Sequence, residues 1–383
     1  RALCFCTRTR QKEESLMKKI ICRILLAILA LVLVCIAGFG LFYASRIRTV
    51  RSIRKLTNYG DYELYQMDVS YSYDLDRLIN YGVSSNQDML DSILKEAMPL
   101  LPIHMTAPDF GCSAFCFTDT DGAVLMGRNY DFKQDTSAML VYCSPQNGYR
   151  SVAFTALNNL SANHPTDSTR AAVATLAAPF VCLDGMNEKG VSIAVLTLDS
   201  EPTNQQTGRQ RIFTTLAIRL VLDRAATTQE AVDLLRQYDM FATSGRDYHF
   251  YITDASGDGR VIEYDCDDPA RSLVDTPMCA ITNFFGMYID NVLPNQRNGI
   301  YGHGKERYDS IEQVLTANGD ALTPDTAWQA LKASAQDPTP ADVTSNTQWS
   351  LVYNDTELTA QFVLRRNWGD IISYDLNTDT VTF

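Results

Sequence analysis

The fold of this chain is decided by residues 111–131, which read GCSAFCFTDTDGAVLMGRNYD. Apolar residues alternate with smaller or polar ones over Cys112–Thr118, and a second apolar run follows at Ala123–Met126. Between them, Thr120-Asp121-Gly122 is typical of a tight turn. The pattern therefore predicts a β-hairpin whose two arms lie side by side.

The second arm of this hairpin runs into the polar cluster Gly127–Asp131. Antiparallel pairing returns Arg128 and Asp131 to the neighbourhood of Cys112. Charged side chains next to an apolar core must be paired with a partner of opposite charge or serve in the chemistry of a site. Each residue alone has a plain structural interpretation, as a buried strand cysteine or a strand-end salt bridge. Together they predict a cysteine that attacks a carbonyl while an Arg and an Asp orient and polarise it.

The sequence after this hairpin alternates between blocks of predicted strands and blocks of predicted helices. Further strands are expected at Ala138–Cys143, Ser151–Leu157, Phe180–Leu183, Val191–Leu198, Tyr248–Thr253, Val261–Tyr264, Met278–Thr282, Trp349–Tyr353, Leu358–Val363 and Ile371–Tyr374. Helices are expected at Ile212–Arg224, Thr228–Tyr238, Lys305–Thr316 and Pro324–Ala335. Such blocks favour a layered α+β domain over a βαβ repeat.

The N-terminal end has a different character. Ile24–Ser45 is an uncharged run of 22 residues within a basic segment, 1–55. As a helix it would span ~33 Å, about the thickness of a bilayer core. We expect a retained transmembrane anchor at about 24–45, with a cleaved signal peptide as the alternative. Residues 56–111 would form a linker or pro-segment with one helix near Ser85–Met98, and 112–383 the catalytic domain.

Charge is distributed unevenly between these regions. Residues 1–55 carry twelve Lys/Arg against two Glu, whereas the rest carries 21 basic and 43 acidic residues. An acidic body repels phosphate backbones, which argues against nucleic-acid binding. It suits the outer face of a bacterial cell membrane, so we expect a single-pass protein with an extracellular catalytic domain. Lys and Arg flank the apolar run almost equally, so the positive-inside rule leaves the orientation open.

Sequence signals for metal or nucleotide chemistry are weak. The four histidines lie far apart, the ten cysteines do not form paired zinc-binding spacings, and no phosphate-binding loop occurs. We therefore expect neither a metal nor an organic cofactor.

Four stretches carry a resemblance to a known family. They are Cys112 with Arg128–Asp131 at this spacing, Asp184–Gly190, Ile281-Thr282-Asn283, and Arg307 within Lys305–Tyr308. In this order they resemble the choloylglycine hydrolase family of N-terminal-nucleophile amidases, which includes bile salt hydrolases and penicillin V acylases. The similarity covers Cys112–Phe383 and none of residues 1–111. It implies the N-terminal-nucleophile hydrolase fold, a four-layer αββα sandwich.

The resemblance also implies roles for individual residues. Cys112 would be the nucleophile, with its own freed α-amine as base. Arg128 and Asp131 would hold the amine and the thiolate, and Arg307 would complete the charged network. Asn283 would donate to the oxyanion. Thr197 stands where family members tend to have Asn or Tyr in the oxyanion pocket. Phe284 and Phe285 are expected either to line an acyl pocket or to belong to the core.

The implied reaction is hydrolysis of a linear, non-peptide C–N amide bond through an acyl-thioester on Cys112. A substrate would be an N-acyl amide of the conjugated bile acid or penicillin V type. Exposing the nucleophile would require cleavage between Gly111 and Cys112, where glycine lets the thiol approach the carbonyl. Two alternatives stay open: an acyltransferase on the same scaffold, and a non-catalytic membrane-tethered binding protein. The oligomeric state stays open as well.

Overall fold

The computed structural model describes residues 2–98, 110–297, 299–338 and 346–383, and it divides into units 1–48 and 49–383. Helix α1 (Ala2–Arg51) includes a stretch, Met17–Arg51, that is long and apolar enough to cross a membrane. A signal sequence near an N-terminus has the same properties, so this helix is a candidate span by length and composition.

The second unit alternates strands and helices along its length. Its strands are β1 (Arg54–Lys55), β2 (Leu64–Val69), β3 (Phe110–Thr118), β4 (Val124–Phe132), β5 (Ala138–Cys143), β6 (Ser151–Ala156), β7 (Asp184–Asn187), β8 (Ser192–Leu198), β9 (Arg211–Phe213), β10 (Asp239–Phe241), β11 (Asp247–Thr253), β12 (Arg260–Tyr264), β13 (Leu273–Pro277), β14 (Ala280–Ile281), β15 (Thr347–Asn354), β16 (Thr359–Leu364), β17 (Ile372–Asp375) and β18 (Thr380–Thr382). Its α-helices are α2 (Leu75–Asn80), α3 (Asn86–Ala97), α4 (Thr169–Ala174), α5 (Thr214–Arg224), α6 (Thr228–Leu235), α7 (Lys305–Asn318) and α8 (Pro324–Ser334). Short 3₁₀ helices lie at Leu157–Leu160, Thr175–Phe180 and Gly286–Asn291.

Two large sheets organise this unit. Within the described residues, sheet A has nine strands in the order β1-β2-β5-β6-β7-β8-β11-β12-β13, and sheet B has seven in the order β14-β3-β4-β15-β16-β17-β18. Neighbouring strands are antiparallel except β2 and β5, which are parallel. A separate pair, β9 and β10, is also parallel.

The sheets pack against each other and are covered by helices on their outer faces. Helices α5 and α6 pack on sheet A, and α7 and α8 pack on sheet B. Sheet B contributes Phe115, Leu125 and Val363 to the outer cluster, where they meet Ile311 of α7 and Leu331 of α8. The predicted α+β class and the four-layer αββα arrangement are confirmed.

The predicted hairpin is present and is longer than expected, because β4 continues through the polar cluster to Phe132. Cys112 pairs with Tyr130, and Gly111 pairs with Asp131. Alternation along β4 decides which way each polar side chain points. Arg128 points into the space between the sheets, whereas Asp131 points towards the layer of α7 and α8.

Of the other predicted elements, one helix is confirmed and one strand is wrong. The helix near Ser85–Met98 is confirmed as α3, and Ser85 caps it by accepting a hydrogen bond from the backbone N–H of Asp88. The strand predicted at Phe180–Leu183 is wrong: a 3₁₀ helix ends at Phe180 and the next strand begins at Asp184. The segment assigned to a linker or pro-segment contributes β2 to sheet A, and the assignment of domains stays a proposal.

Candidate active site

Cys112 lies near the start of β3, where it meets residues from two distant parts of the chain. Its backbone nitrogen donates to Asn283 Oδ1 at 2.9 Å. Arg307 Nη1 donates to the carbonyl oxygen of Cys112 at 2.7 Å, and Arg307 Nη2 donates to Asn283 Oδ1 at 2.7 Å. The guanidinium therefore holds the backbone and its amide partner with two separate N–H groups.

The strand β14 explains why Asn283 reaches this position. Ala280 and Ile281 pair antiparallel with Phe115 and Ala114 of β3, so the chain leaves this edge of sheet B beside Cys112. On its other side, Asn283 Nδ2 donates to the backbone oxygen of Thr197 at 2.9 Å and to its Oγ1 at 3.1 Å. Thr197 is part of β8, so the Asn283 amide links the two sheets beside Cys112. Both Thr197 oxygens lie within hydrogen-bond distance of the Asn283 amide nitrogen.

Asp131 is held on the helix side of the site. Its oxygens accept from Thr347 Oγ1 and Gln336 Nε2, both at 2.6 Å, and Arg307 Nη1 lies 3.5 Å away. Asp131 is fully buried, so these donors offset the cost of removing a carboxylate from water. Sequence reasoning missed Gln336 and Thr347, which lie more than 200 residues further along the chain.

Arg128 does not pair with Asp131. Its Nε lies 2.5 Å from Asp184 Oδ2, its Nη1 donates to the backbone oxygen of Val195 at 3.0 Å, and both charged side chains are fully buried. Tyr353 also donates its hydroxyl to Asp184, at 2.7 Å. Among the described residues, Arg128 Nη2 has no hydrogen-bond partner. The sequence singled out Asp184 as part of a turn, and its pairing with Arg128 was not foreseen.

Burial is the largest influence on the pKa of the Cys112 thiol. It raises the pKa of the fully buried Cys112 thiol to about 11, and the Arg128 guanidinium is the largest influence that opposes this rise. A thiol with this pKa is protonated at neutral pH. To act as a nucleophile, Cys112 would thus need a base, and its own backbone nitrogen is an amide that cannot serve as one.

The two phenylalanines after Asn283 are fully buried. Phe284 packs edge-on against Tyr308, and Phe285 packs edge-on against Tyr288. They belong to the packed interior of this structure, and a part in an acyl pocket stays a prediction. A surface cavity of about 630 Å³ lies elsewhere, against Tyr73, Asp74, Arg77, Asp223 and Arg224. Among the side chains that the structure describes, no group of three or more His, Cys, Asp or Glu residues could hold a metal ion.

The segment between Asn283 and Arg307 is closely packed at its C-terminal end, at Gly302 and Gly304. A Cβ on Gly302 would lie 2.2 Å from the backbone oxygen of Asn283, and one on Gly304 would lie 2.3 Å from Arg307 Nη2. Both glycines also have positive φ. Between them, His303 donates its backbone N–H to Asn283 O at 2.8 Å, and its Nδ1 lies 2.6 Å from Asp199 Oδ2. Sequence reasoning assigned no role near the site to His303.

Comparisons with known proteins concern the family and the fold of this chain. Residues 112–270 match the family model of the linear amide C-N hydrolases, choloylglycine hydrolase family. The structure is similar to a variant of conjugated bile acid hydrolase from Clostridium perfringens, with a TM-score of 0.52 at 15% identity over 71% of this chain and 95% of that one. It is also similar to penicillin V acylase from Agrobacterium tumefaciens, with a TM-score of 0.51 at 18% identity over 70% of this chain and 86% of that one. No curated protein matches the sequence significantly. The resemblance seen in the sequence is thereby confirmed: over residues 112–270 the chain matches the choloylglycine hydrolase family, and it is an amidohydrolase that acts on linear amides.

Proposed function

We propose that this amidohydrolase uses Cys112 as its nucleophile and cleaves an N-acyl amide, of the conjugated bile acid or penicillin V type, through an acyl-thioester. The observation that carries the proposal is the set of contacts around Cys112. Asn283 accepts from its backbone nitrogen, and Arg307 donates both to its carbonyl oxygen and to Asn283. A buried strand residue usually pairs these backbone groups with a neighbouring strand, whereas at Cys112 the side chains of Asn283 and Arg307 bind them.

The first step of the proposed maturation is cleavage of the Gly111–Cys112 bond. The Cys112 sulfur attacks the Gly111 carbonyl, and the thiol proton passes to the Cys112 nitrogen as the C–N bond breaks. The acyl group thereby moves from nitrogen to sulfur, and water hydrolyses the resulting thioester to a free thiol and the Gly111 carboxyl group. The Cys112 nitrogen leaves as an amine. Because this nitrogen already donates to Asn283 Oδ1 at 2.9 Å, the new α-amine has a partner that holds it next to its own thiol. It thereby supplies the base that the uncut chain lacks.

Catalysis then follows the same chemistry on an external amide. The α-amine takes the thiol proton, and the sulfur attacks the substrate carbonyl. The resulting ammonium protonates the leaving nitrogen as the C–N bond breaks, which leaves an acyl-thioester. Water, deprotonated by the same amine, hydrolyses the thioester and releases the carboxylic acid and the free thiol. Arg128, between the sheets, favours the thiolate during these steps.

Asn283 is the proposed oxyanion donor. Its amide nitrogen donates to the backbone oxygen and Oγ1 of Thr197. A tetrahedral oxyanion would replace one of these neutral acceptors, and a charged acceptor forms the stronger hydrogen bond. Thr197 thus sets the direction of the Asn283 donors, which is consistent with its expected place in the oxyanion pocket.

The cellular setting is a further part of the proposal. The apolar helix within Met17–Arg51 would anchor the chain in the bacterial cell membrane, with the acidic catalytic unit outside. Small external amides would then reach the enzyme without crossing the membrane.

The experiment that tests the proposed function is intact-mass analysis of the purified chain together with turnover of an N-acyl amide. The wild type should yield a fragment that begins at Cys112 and should release acid and amine in equal amounts. Cys112→Ala should remain one chain and should be inactive. Cys116→Ala is the matched control, because Cys116 is also buried on β3, and it should cut and turn over normally. An active wild type that keeps the Gly111–Cys112 bond would refute the role of the α-amine.

A further inference from the structure

We propose that residues 49–98 stay bound after the chain is cut before Cys112, as a separate polypeptide that completes sheet A and keeps the catalytic domain joined to the N-terminal helix. This inference rests on the proposed cut for its biological setting. Its physical basis, the way in which 49–98 is built into the fold, does not depend on the cut.

Strand β2 is the main element of this attachment. It lies between β1 and β5 in sheet A, and all six of its residues pair in parallel with Ala138–Cys143. Leu64 and Met67 are fully buried. If the segment left, these apolar side chains would become exposed and β5 would present a long unpaired edge. Strand β2 therefore behaves as part of the core of the catalytic unit.

Side-chain and backbone hydrogen bonds fix the start of this strand. The backbone N–H of Glu63 donates to Ser137 Oγ at 3.0 Å, and the N–H of Ala138 donates back to the Glu63 carbonyl at 3.0 Å. These bonds lie where β5 begins, so they set the register between the segment and the catalytic domain.

Two tyrosines that follow β2 make buried contacts on the catalytic side. Tyr71 donates its hydroxyl to the backbone oxygen of Leu176 at 2.6 Å. Tyr73 donates to the Asp223 carboxylate at 3.0 Å, and Asp223 is ion-paired with the fully buried Arg219 of the same helix, α5. Loss of Tyr73 would remove a donor from a buried carboxylate, which is costly. The Tyr73 hydrogen bond thus attaches the segment to helix α5, which covers sheet A.

Helix α3 adds an apolar contact. Its inner face carries Ile93 and Ala97, both fully buried, and it packs against the 3₁₀ helix at Thr175–Phe180. Strand, tyrosines and helix therefore attach the segment at three separate places. A single backbone cut removes none of these contacts.

The experiment compares separation under native and denaturing conditions, using the full chain in detergent with a different tag at each end. Purification through the C-terminal tag should recover the N-terminal fragment of the self-cut wild type in a one-to-one ratio. The two should separate only on a denaturing gel. Recovery of the C-terminal fragment alone, folded and active, would overturn the proposal.

A second arm makes the test independent of self-cleavage. In a Cys112→Ala chain, a recognition sequence for a specific protease is inserted within positions 99–109, and the folded protein is cut with that protease. The fragments should remain together. Dissociation here would overturn the retained segment even if the wild type cuts itself. An uncut wild type would instead count against the proposed maturation while this arm still decides on retention.

A matched pair of tyrosine variants probes the contacts that hold the fragments. Tyr73→Phe should lower the urea concentration at which the cut fragments separate, since it removes the hydroxyl that reaches Asp223. Tyr81→Phe makes the same chemical change at an exposed position of the segment and should leave that concentration unchanged. Equal behaviour of the two variants would contradict the assigned contact.

Discussion

The side-chain oxygen of Asn283 lies 2.9 Å from the backbone nitrogen of Cys112, although the two residues are 171 positions apart. The same oxygen also accepts from Arg307, so it binds both the Cys112 nitrogen and the Arg307 guanidinium. The position of the Cys112 nitrogen therefore depends on the side-chain amide of Asn283, whose own nitrogen donates to Thr197.

Replacing Asn283 by Ala should lower the rate of acylation by about 10²–10³, because one oxyanion donor is lost. Self-cleavage should slow as well, since it passes through a similar tetrahedral species. Single-turnover kinetics on an N-acyl amide and the time course of chain cutting measure the two effects.

The control for this variant is Asn129→Ala. Asn129 is a buried asparagine of β4 that donates to Leu331 O and Ser334 Oγ on the far side of the sheet. Its loss should reduce stability but leave turnover by the folded protein near normal. A folded Asn283→Ala enzyme with normal turnover would remove Asn283 from the mechanism.

Arg307→Lys should lose activity by about tenfold or more although it preserves the charge. Arginine reaches Cys112 O and Asn283 Oδ1 with two nitrogens of a rigid fork, which a single ammonium cannot reproduce. Steady-state kinetics of Arg307→Lys measure this loss. Lys305→Arg, two residues away on α7, should have no such effect, and equal losses in both would point to a general effect on the helix.

The buried pair of Arg128 and Asp184 should behave as a coupled unit. Either Asp184→Asn or Arg128→Met leaves one buried charge without its partner and should cost about 3–5 kcal/mol of unfolding free energy. The double variant should lose much less than the sum, because no net charge is left unpaired. Urea unfolding of the four proteins gives the coupling energy.

Turnover distinguishes the two roles of this pair. The double variant should remain inactive despite its recovered stability, since Arg128 also opposes the raised thiol pKa of Cys112. Recovery of activity together with stability would show that the pair is only structural.

The stability of the fold should fall as pH rises towards neutrality because of Asp355. This carboxyl accepts from Ser192 Oγ and Thr253 Oγ1, which belong to the opposite sheet, and burial raises its pKa to about 7 from 3.8. Between these two values the folded state keeps a proton that the unfolded state releases. The contribution of Asp355 to the unfolding free energy therefore declines from about pH 4 to pH 7, by up to about 4 kcal/mol, and is level above that range.

Asp355→Asn should remove this decline and raise the urea midpoint at pH 8 while changing it little at pH 4. Asp121→Asn, at the exposed hairpin turn, serves as the control and should keep the wild-type pH dependence. An Asp355→Asn protein with an unaltered pH profile would rule out Asp355 as its origin.

The exposed thiol of Cys279 tests the proposed membrane orientation. A membrane-impermeant maleimide added to intact cells should label the wild type, and Cys279→Ser should reduce that labelling. Labelling that appears only after lysis would reverse the topology.

The sequence predicted the hairpin from Cys112 to Asp131 because its register depends on a short turn and on local alternation. The same alternation also separates Arg128 from Asp131, since residues three apart on a strand face opposite ways. The sequence-based hypothesis placed both side chains next to Cys112. Arg128 instead meets Asp184, from another sheet, and no local pattern indicates contacts between sheets.

Two segments show where pattern reasoning has limits. Phe180–Leu183 is a fully or nearly fully buried apolar run, and such a run fits a strand or any other buried segment equally well. Leu64–Val69 was missed because Gln66 and Asp68 interrupt its apolar character. Its identity as a strand comes from its pairing with β5, which is a tertiary contact.

Gly302 and Gly304 divide the connection between Asn283 and Arg307 into parts with different freedom to evolve. At the two glycines any side chain would collide with Asn283 or Arg307, so this end cannot drift without disturbing the site. The chain before them includes Leu293 and Ile300, whose side chains are exposed and are not under this constraint. Exchanges at such exposed positions leave the contacts of Asn283 and Arg307 with Cys112 unchanged, so this part of the connection can diverge between related enzymes while the proposed reaction is kept.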